Sequence, residues 1–190
     1  MLYSSEWRSL RRSSHALLNA KTAIRYQPVL DFESKQLLSD LLETPEKFYE
    51  HNRRYSSSVI MFLTSGYRLP SWEHPLVQKI YTVLGNLTEM TASGAHVVDS
   101  FPSLASLPQR LLGNWRRHAQ SVFSRDSKIY LESWVTLKKE VDAGAAKDCF
   151  VRDYNLSNPY HHSVNDMQAA YMCGGLFEAG SETTATTLNN

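Results

Sequence analysis

With 190 residues, 42% of them apolar and 21% charged, the chain is long enough for one sizeable core and needs no second domain. Its 20 basic and 19 acidic side chains leave a formal charge of +1, which gives no electrostatic reason to expect nucleic acid or an anionic membrane surface as partner. Two cysteines, Cys149 and Cys173, are too few for a disulfide framework and point to a reducing, intracellular setting.

No apolar run approaches the ~20 residues of a spanning helix. The first residues also lack the basic-then-apolar layout of a secretory signal. Seven prolines and eight glycines punctuate long stretches of helical pattern, so an all-α arrangement in one unit is expected. A first, basic helix is expected near 5–20, and a second near 27–42 with Leu30, Leu37, Leu38 and Leu41 on one face. Thr44-Pro45-Glu46 offers a cap, a proline and an early acid for a third helix, which ends at Ser65-Gly66. Ser71-Trp72-Glu73 starts a fourth, to about residue 93. After a loop bracketed by Phe101-Pro102 and Leu107-Pro108, the longest helix is expected near 109–143, with Tyr130, Trp134, Leu137 and Val141 on one side and Gly144 at its end. A short piece runs on to Pro159, and Ser163-Val164-Asn165-Asp166 reads as a capping box opening the last helix.

Inside that last helix, Glu178-Ala179-Gly180-Ser181-Glu182-Thr183-Thr184 is a poor choice for stability alone. Gly costs ~1 kcal/mol relative to Ala in a helix interior, and Thr is a weak helix former. Small residues thin one face so that something flat can lie on it. A hydroxyl can also bond a carbonyl one turn back and bend or open the helix. The bland alternative is a close crossing of two helices, with the threonines satisfying their own backbone. The order small-Gly-x-acid-Thr-Thr resembles the oxygen-binding stretch in the I helix of the cytochrome P-450 superfamily, the haem-thiolate monooxygenases.

A second match lies in the first helix, where Trp7-Arg8-Ser9-Leu10-Arg11 has the Trp-x-x-x-Arg spacing of the family's C helix. Residues four apart share a helical face, so an indole N–H and a guanidinium can converge on one anion. Between these ends, Leu41-Leu42-x-x-Pro45-x-x-Phe48, His51, Arg53-Arg54-Tyr55, Ser58-Val59-Ile60 and Gly66-x-Arg68 look like the D and E helices of fungal microsomal members. Val98-Asp99-Ser100-Phe101-Pro102 with Leu107-Pro108 looks like the loop before the G helix. The resemblance therefore covers nearly the whole chain. It implies a single partial helical domain over 1–190, running from C helix to I helix of the P-450 fold, without the haem-cysteine loop, the β-rich regions or the membrane anchor.

Carried over residue by residue, the resemblance makes Trp7 and Arg11 ligands of a haem propionate. Ala179 and Gly180 become the shallow groove for dioxygen beside the haem iron. Thr183 becomes the hydroxyl that hydrogen-bonds the oxygen, and Glu182 the acid that helps deliver protons. Thr184, about 100° further round a regular helix, reads as structural. The partners implied are an apolar small-molecule substrate and an NADPH-dependent reductase, at the endoplasmic reticulum membrane in the parent family.

The family's thiolate ligand sits in a Phe-x-x-Gly-x-x-x-Cys-x-Gly loop. Cys149 has Ala145 and Val151 where the glycines belong, and Cys173 has Asp166 and Ala169 at its upstream positions, so both read as small buried residues. Glu50-x-x-Arg53 has the spacing of another family signature but precedes the I helix, and the histidines show no metal-ligand spacing. The expected function is a catalytically silent piece of a haem-dependent monooxygenase that inserts one oxygen atom of dioxygen into an apolar organic substrate. The alternative is a helical interaction or scaffold protein derived from that family. On the first reading, Trp7 and Arg11 should face the same open cavity as Ala179, Gly180 and Thr183.

Overall fold

The computed structural model describes residues 3–157 and 164–190, and among them it contains helices and no strand. Helix α1 (Ser5–Leu18) is opened by Ser4, whose hydroxyl accepts the Trp7 N–H at 3.2 Å. It stops short of the expected end because Asn19 turns extended and caps a second start, α2 (Ala20–Ala23), by accepting from the Thr22 N–H. Helix α3 (Gln27–Glu43) follows a 3-10 turn and agrees with expectation. Its leucine stripe is not its inner side. Leu30 and Leu38 are exposed, Leu37 and Leu41 are only half-buried, and the buried position is Glu33.

Thr44 does not cap the next helix: its hydroxyl donates back to the Asp40 carbonyl, and a 3-10 turn over Pro45–Lys47 leads into α4 (Phe48–Ser65). Gly66 closes α4 in the left-handed conformation, φ 76°, where only glycine is unstrained. The fourth helix, α5 (Pro75–Thr91), starts four residues later than the Ser71 expected. Pro75 explains this, since the residue before a proline is pushed out of the helical region and His74 sits at ψ 131°. The connection that follows holds one turn of helix, α6 (Val97–Ser100), and 3-10 turns over Pro102–Ser106 and Gln109–Leu112.

The long helix α7 (Trp115–Asp142) also begins later than expected, because Gly113 and Asn114 both take positive φ and break the run from Gln109. Its Tyr130, Trp134 and Leu137 are buried as the spacing requires. After Gly144 and α8 (Phe150–Ser157), the last helix is α9 (Asp166–Asn189). The capping box that opens it joins Asn165 to Gln168, each side-chain oxygen accepting the other residue's backbone N–H; Ser163 and Pro159 lie outside the described residues.

Helix α9 is the axis of the packing. Helices α4 and α7 lie along it, with α1 and α5 touching it more locally. Its Ala169, Ala170, Met172, Cys173 and Leu176 join Trp134, Phe150, Val151 and Tyr154 in one apolar cluster, and Phe177 joins Met61, Leu69, Val77 and Ile80 in another. A buried ion cluster ties α3 to α4: Arg54 meets Glu33 at 2.6 Å and Asp40 at 2.9 Å, and Arg68 meets Glu33 at 2.7 Å. No described helix is long and apolar enough to cross a membrane.

Candidate functional site

A helix at the centre of a bundle has most of its circumference covered, and any part left open stands out. On α9 the open part begins at Gly175, where an added Cβ would meet nothing within 4 Å. Ala179, Thr183 and Thr187 continue it at four-residue steps, all exposed. Thr183 Oγ1 donates to the Ala179 carbonyl at 2.7 Å and Thr187 Oγ1 to the Thr183 carbonyl at 3.0 Å, so the hydroxyls are folded back on the backbone. What remains is a smooth, shallow stripe of glycine, alanine and threonine on a helix whose other sides carry Cys173, Phe177, Ser181 and Ala185, all buried.

Gly180 belongs to a different side. A Cβ there would lie 2.5 Å from Cγ1 and 2.8 Å from Cβ of Ile60, so its missing side chain is the notch into which α4 presses. The same contact includes a hydrogen bond from Ser56 Oγ to the Gly180 carbonyl at 2.6 Å. Beside it, Arg53 Nη2 reaches Glu182 Oε1 at 3.1 Å. The small-residue run thus does both things its composition allows: Gly180 serves a close helix crossing, and Ala179 with Thr183 faces outward.

Glu182 Oε2 is buried and has no hydrogen-bond partner among the described residues, and the same is true of Arg53 Nε. The Arg53 guanidinium lies over the Tyr81 ring, 5.3 Å from its centroid. Burial, with the Glu182 charge adding to it, pushes the Tyr81 hydroxyl up to about 12, so it stays protonated. Sequence reasoning did not select Ser56 or Tyr81, and it quoted Arg53 only within a helix pattern and a Glu-x-x-Arg spacing that it set aside. The available signal was the spacing of Arg53, Ser56 and Ile60, which places them along one face of α4.

Trp7 and Arg11 meet each other. The guanidinium stands 5.2 Å from the indole centroid, and the Tyr3 ring packs on the same indole with its centroid at 4.7 Å. Trp7 is half-buried and Arg11 exposed, and among the described residues no carboxylate pairs with Arg11. Leu10, between them in sequence, packs against the apolar cluster that contains the first half of α9. The pair therefore sits on a helix anchored to α9, with two cationic or N–H donors left for an anion. No described hydrogen bond or ion pair joins it to residues 179–183.

A separate small cavity lies between α4, α5, α7 and α9, lined by Met61, Ile80, Val83, Tyr130, Phe177 and Glu178 among others. It contains none of the expected cofactor-binding or catalytic residues, Trp7, Arg11, Ala179, Gly180, Glu182 or Thr183. Its polar edge is Glu178, which accepts from the Tyr130 hydroxyl; burial pushes the Glu178 carboxyl up, with Asp126 adding like charge. Both cysteines are buried and free, and burial holds Cys149 up and pushes Cys173 up to about 12, so neither is a thiolate. No group of potential metal ligands occurs among the described residues.

Comparison with known proteins adds a family. The sequence model of the family described as Cytochrome P450 matches residues 1–190. Curated relatives include a protein named cytochrome P450 monooxygenase verL from Clonostachys rogersoniana, 41% identical across 99% of this chain and 35% of the relative. Cytochrome P450 monooxygenase virE of Hypocrea virens is 33% identical over 97% of this chain and 33% of its own length. Cytochrome P450 monooxygenase fogE of Aspergillus ruber is 34% identical over 96% and 34%. The chain spans about a third of the length of these relatives.

Proposed function

The chain belongs to the cytochrome P450 family, and from that premise we propose that it is the C-helix to I-helix part of a haem-dependent monooxygenase, forming one partial helical domain over 1–190. The parent enzyme, on this reading, inserts one oxygen atom of dioxygen into an apolar organic substrate and draws electrons from an NADPH-dependent reductase. The observation that carries the proposal is the open stripe through Gly175, Ala179 and Thr183 on a helix whose Cys173, Phe177, Ser181 and Ala185 are buried, while Thr184, Thr186 and Leu188 near its end are exposed as well. It fits a flat apolar macrocycle because no side chain larger than threonine projects from it. The pair of donors on α1, with Arg11 lacking a carboxylate partner, fits a propionate.

Haem held at this stripe would supply the iron chemistry that activates dioxygen, which in this family also needs a cysteine thiolate. The chain's own residues have four duties. Trp7 and Arg11 bind and orient the propionate through an indole N–H and a planar fork. Ala179 leaves room for a diatomic ligand and excludes bulk water from it. Thr183 turns its hydroxyl from the Ala179 carbonyl toward the groove, donating its proton there while its oxygen accepts another. Glu182 takes that replacement proton from solvent, which it meets with a side chain 39% exposed, and Arg53 steadies its carboxylate. Gly180 contributes by letting α9 lie close on α4, and the run between Ala179 and Thr183 is held from behind. With both cysteines buried and protonated, the 190-residue chain by itself lacks the thiolate and is catalytically silent.

The test is haem retention by the protein that carries this segment together with the cysteine loop. Reduced under carbon monoxide it should give the thiolate-type absorption band, while the 190-residue chain with added haem should not. Arg11→Ala should weaken haem retention about tenfold or more, the value of a charge-assisted hydrogen bond. Retention indifferent to both Arg11→Ala and Trp7→Phe would remove the basis of the proposal.

A further inference from the structure

The turn of α9 between Phe177 and Thr183 is unusual in how many of its carbonyls take a second donor. Ser181 Oγ donates to the Phe177 carbonyl at 2.6 Å, Thr183 Oγ1 to Ala179 at 2.7 Å, and Thr187 Oγ1 to Thr183 at 3.0 Å. Those come from α9 itself. Two come from outside: Ser56 Oγ on α4 reaches the Gly180 carbonyl at 2.6 Å, and the Tyr81 hydroxyl on α5 reaches the Ser181 carbonyl at a longer 3.5 Å. A carbonyl has two lone pairs, so each can keep its helical bond, but a second donor tilts it and loosens the ladder. A loosened turn needs something to fix its position.

Helix α4 supplies that at three points on one face. Ile60 fills the notch at Gly180, Ser56 holds the Gly180 carbonyl, and Arg53 holds Glu182. Ser56 is 2% exposed and Gly180 half-buried, so water does not replace the hydroxyl as a donor. The neighbouring Ser58 makes a useful contrast: it is equally buried, but its oxygen accepts from the Leu69 N–H, and no described hydrogen bond joins it to α9. We propose that Ser56 is a positioning residue of the dioxygen groove: by fixing the Gly180 carbonyl against α4 it sets where Ala179 and Thr183 stand on the adjoining side of α9. This rests on the reading of that stripe as the haem-facing groove.

Two measurements test it. The first uses the haem-loaded protein that carries this segment, reduced with carbon monoxide as the probe, and records the infrared C–O stretching band. Ser56→Ala should shift or split that band, because the groove loses its fixed position, while Ser58→Ala should leave it where it is. The second is amide hydrogen exchange on the polypeptide without haem. Ser56→Ala should speed exchange in peptides covering 180–187 by about 5- to 10-fold, the worth of one buried hydrogen bond, and leave α7 unchanged. A C–O band that is identical in wild type and Ser56→Ala overturns the positioning role. Equal acceleration of 180–187 in Ser56→Ala and Ser58→Ala overturns it too, since that would be general loosening of α4. If the wild-type protein takes up no haem, the groove reading fails, and the exchange comparison then decides the clamp alone.

Discussion

Arg53 is 38% exposed and reaches Glu182, whereas Arg54 beside it is 2% exposed and lies between Glu33 and Asp40. Solvent screens the first pair, so Arg53→Ala should change stability by no more than about 1 kcal/mol. Removing the second guanidinium leaves two carboxylates facing each other with little water, and Arg54→Ala should cost about 3–5 kcal/mol. Urea denaturation of the two variants side by side checks the contrast, and equal losses would refute it. Glu178 gives a pH signature. Burial raises its carboxyl above the ordinary 4.5, so the folded state binds its proton more tightly than the unfolded chain does. Its stabilising share is complete below 4.5 and is lost as pH rises through the raised value. Glu178→Gln keeps an acceptor for Tyr130 without the charge, so its stability relative to wild type should climb as pH rises from 4.5 to the raised value and level off above it. A difference that stays flat with pH would refute the assignment.

Between helices, three glycines of α9 should answer differently to one methyl group. Gly175 has open space at its Cβ position, and Gly175→Ala should stabilise by about 0.5–1 kcal/mol through helix propensity. At Gly180 the methyl meets Ile60 at 2.5 Å, and at Gly174 it meets the Tyr130 ring at 2.4 Å. Each of those replacements should cost about 1–3 kcal/mol by overpacking, read as a lower unfolding midpoint. All three look alike in sequence, which marks the limit of what composition discloses. The helices themselves were legible because their periodicity and punctuation are local: Gly66, Gly144 and the buried row Tyr130, Trp134 and Leu137 fell where spacing put them. Two helices start later than the expected Ser71 and Gln109, although Pro75 and the Gly113-Asn114 pair that set the observed starts are themselves in the sequence. Which side of α9 each residue of the run 178–184 would face was not legible. That depends on α4 lying across Gly180, a contact between positions 124 apart in sequence. The inner side of α3 was hidden for a related reason, since Glu33 is buried by pairing with Arg54 and Arg68 and not by being apolar.

At the level of the whole molecule, the central helix of the bundle keeps an uncovered side, and Leu18, Ile24, Leu42 and Leu111 are also exposed. Exposed apolar surface of that kind promotes self-association in a chain studied by itself. A ligand that covers the stripe stabilises the folded state by mass action, about 2.7 kcal/mol at a hundredfold excess over its dissociation constant. For a chain of this size each 1 kcal/mol moves the unfolding midpoint by about 2–4 °C, so saturating haem should raise it by roughly 5–10 °C. The same addition should reduce light scattering, because the covered stripe no longer pairs with a second copy. Non-specific adsorption of haem to apolar surface would act on any variant alike, so the informative comparison is Arg11→Ala. Arg11 is exposed and stacks on Trp7, and its loss leaves the α9 stripe intact while removing the guanidinium that meets the propionate. The midpoint shift should therefore fall well below the wild-type value in Arg11→Ala. An equal shift in both proteins would mean that haem binds the stripe, or elsewhere, without the α1 pair, and the two ends of the chain would then not form one site.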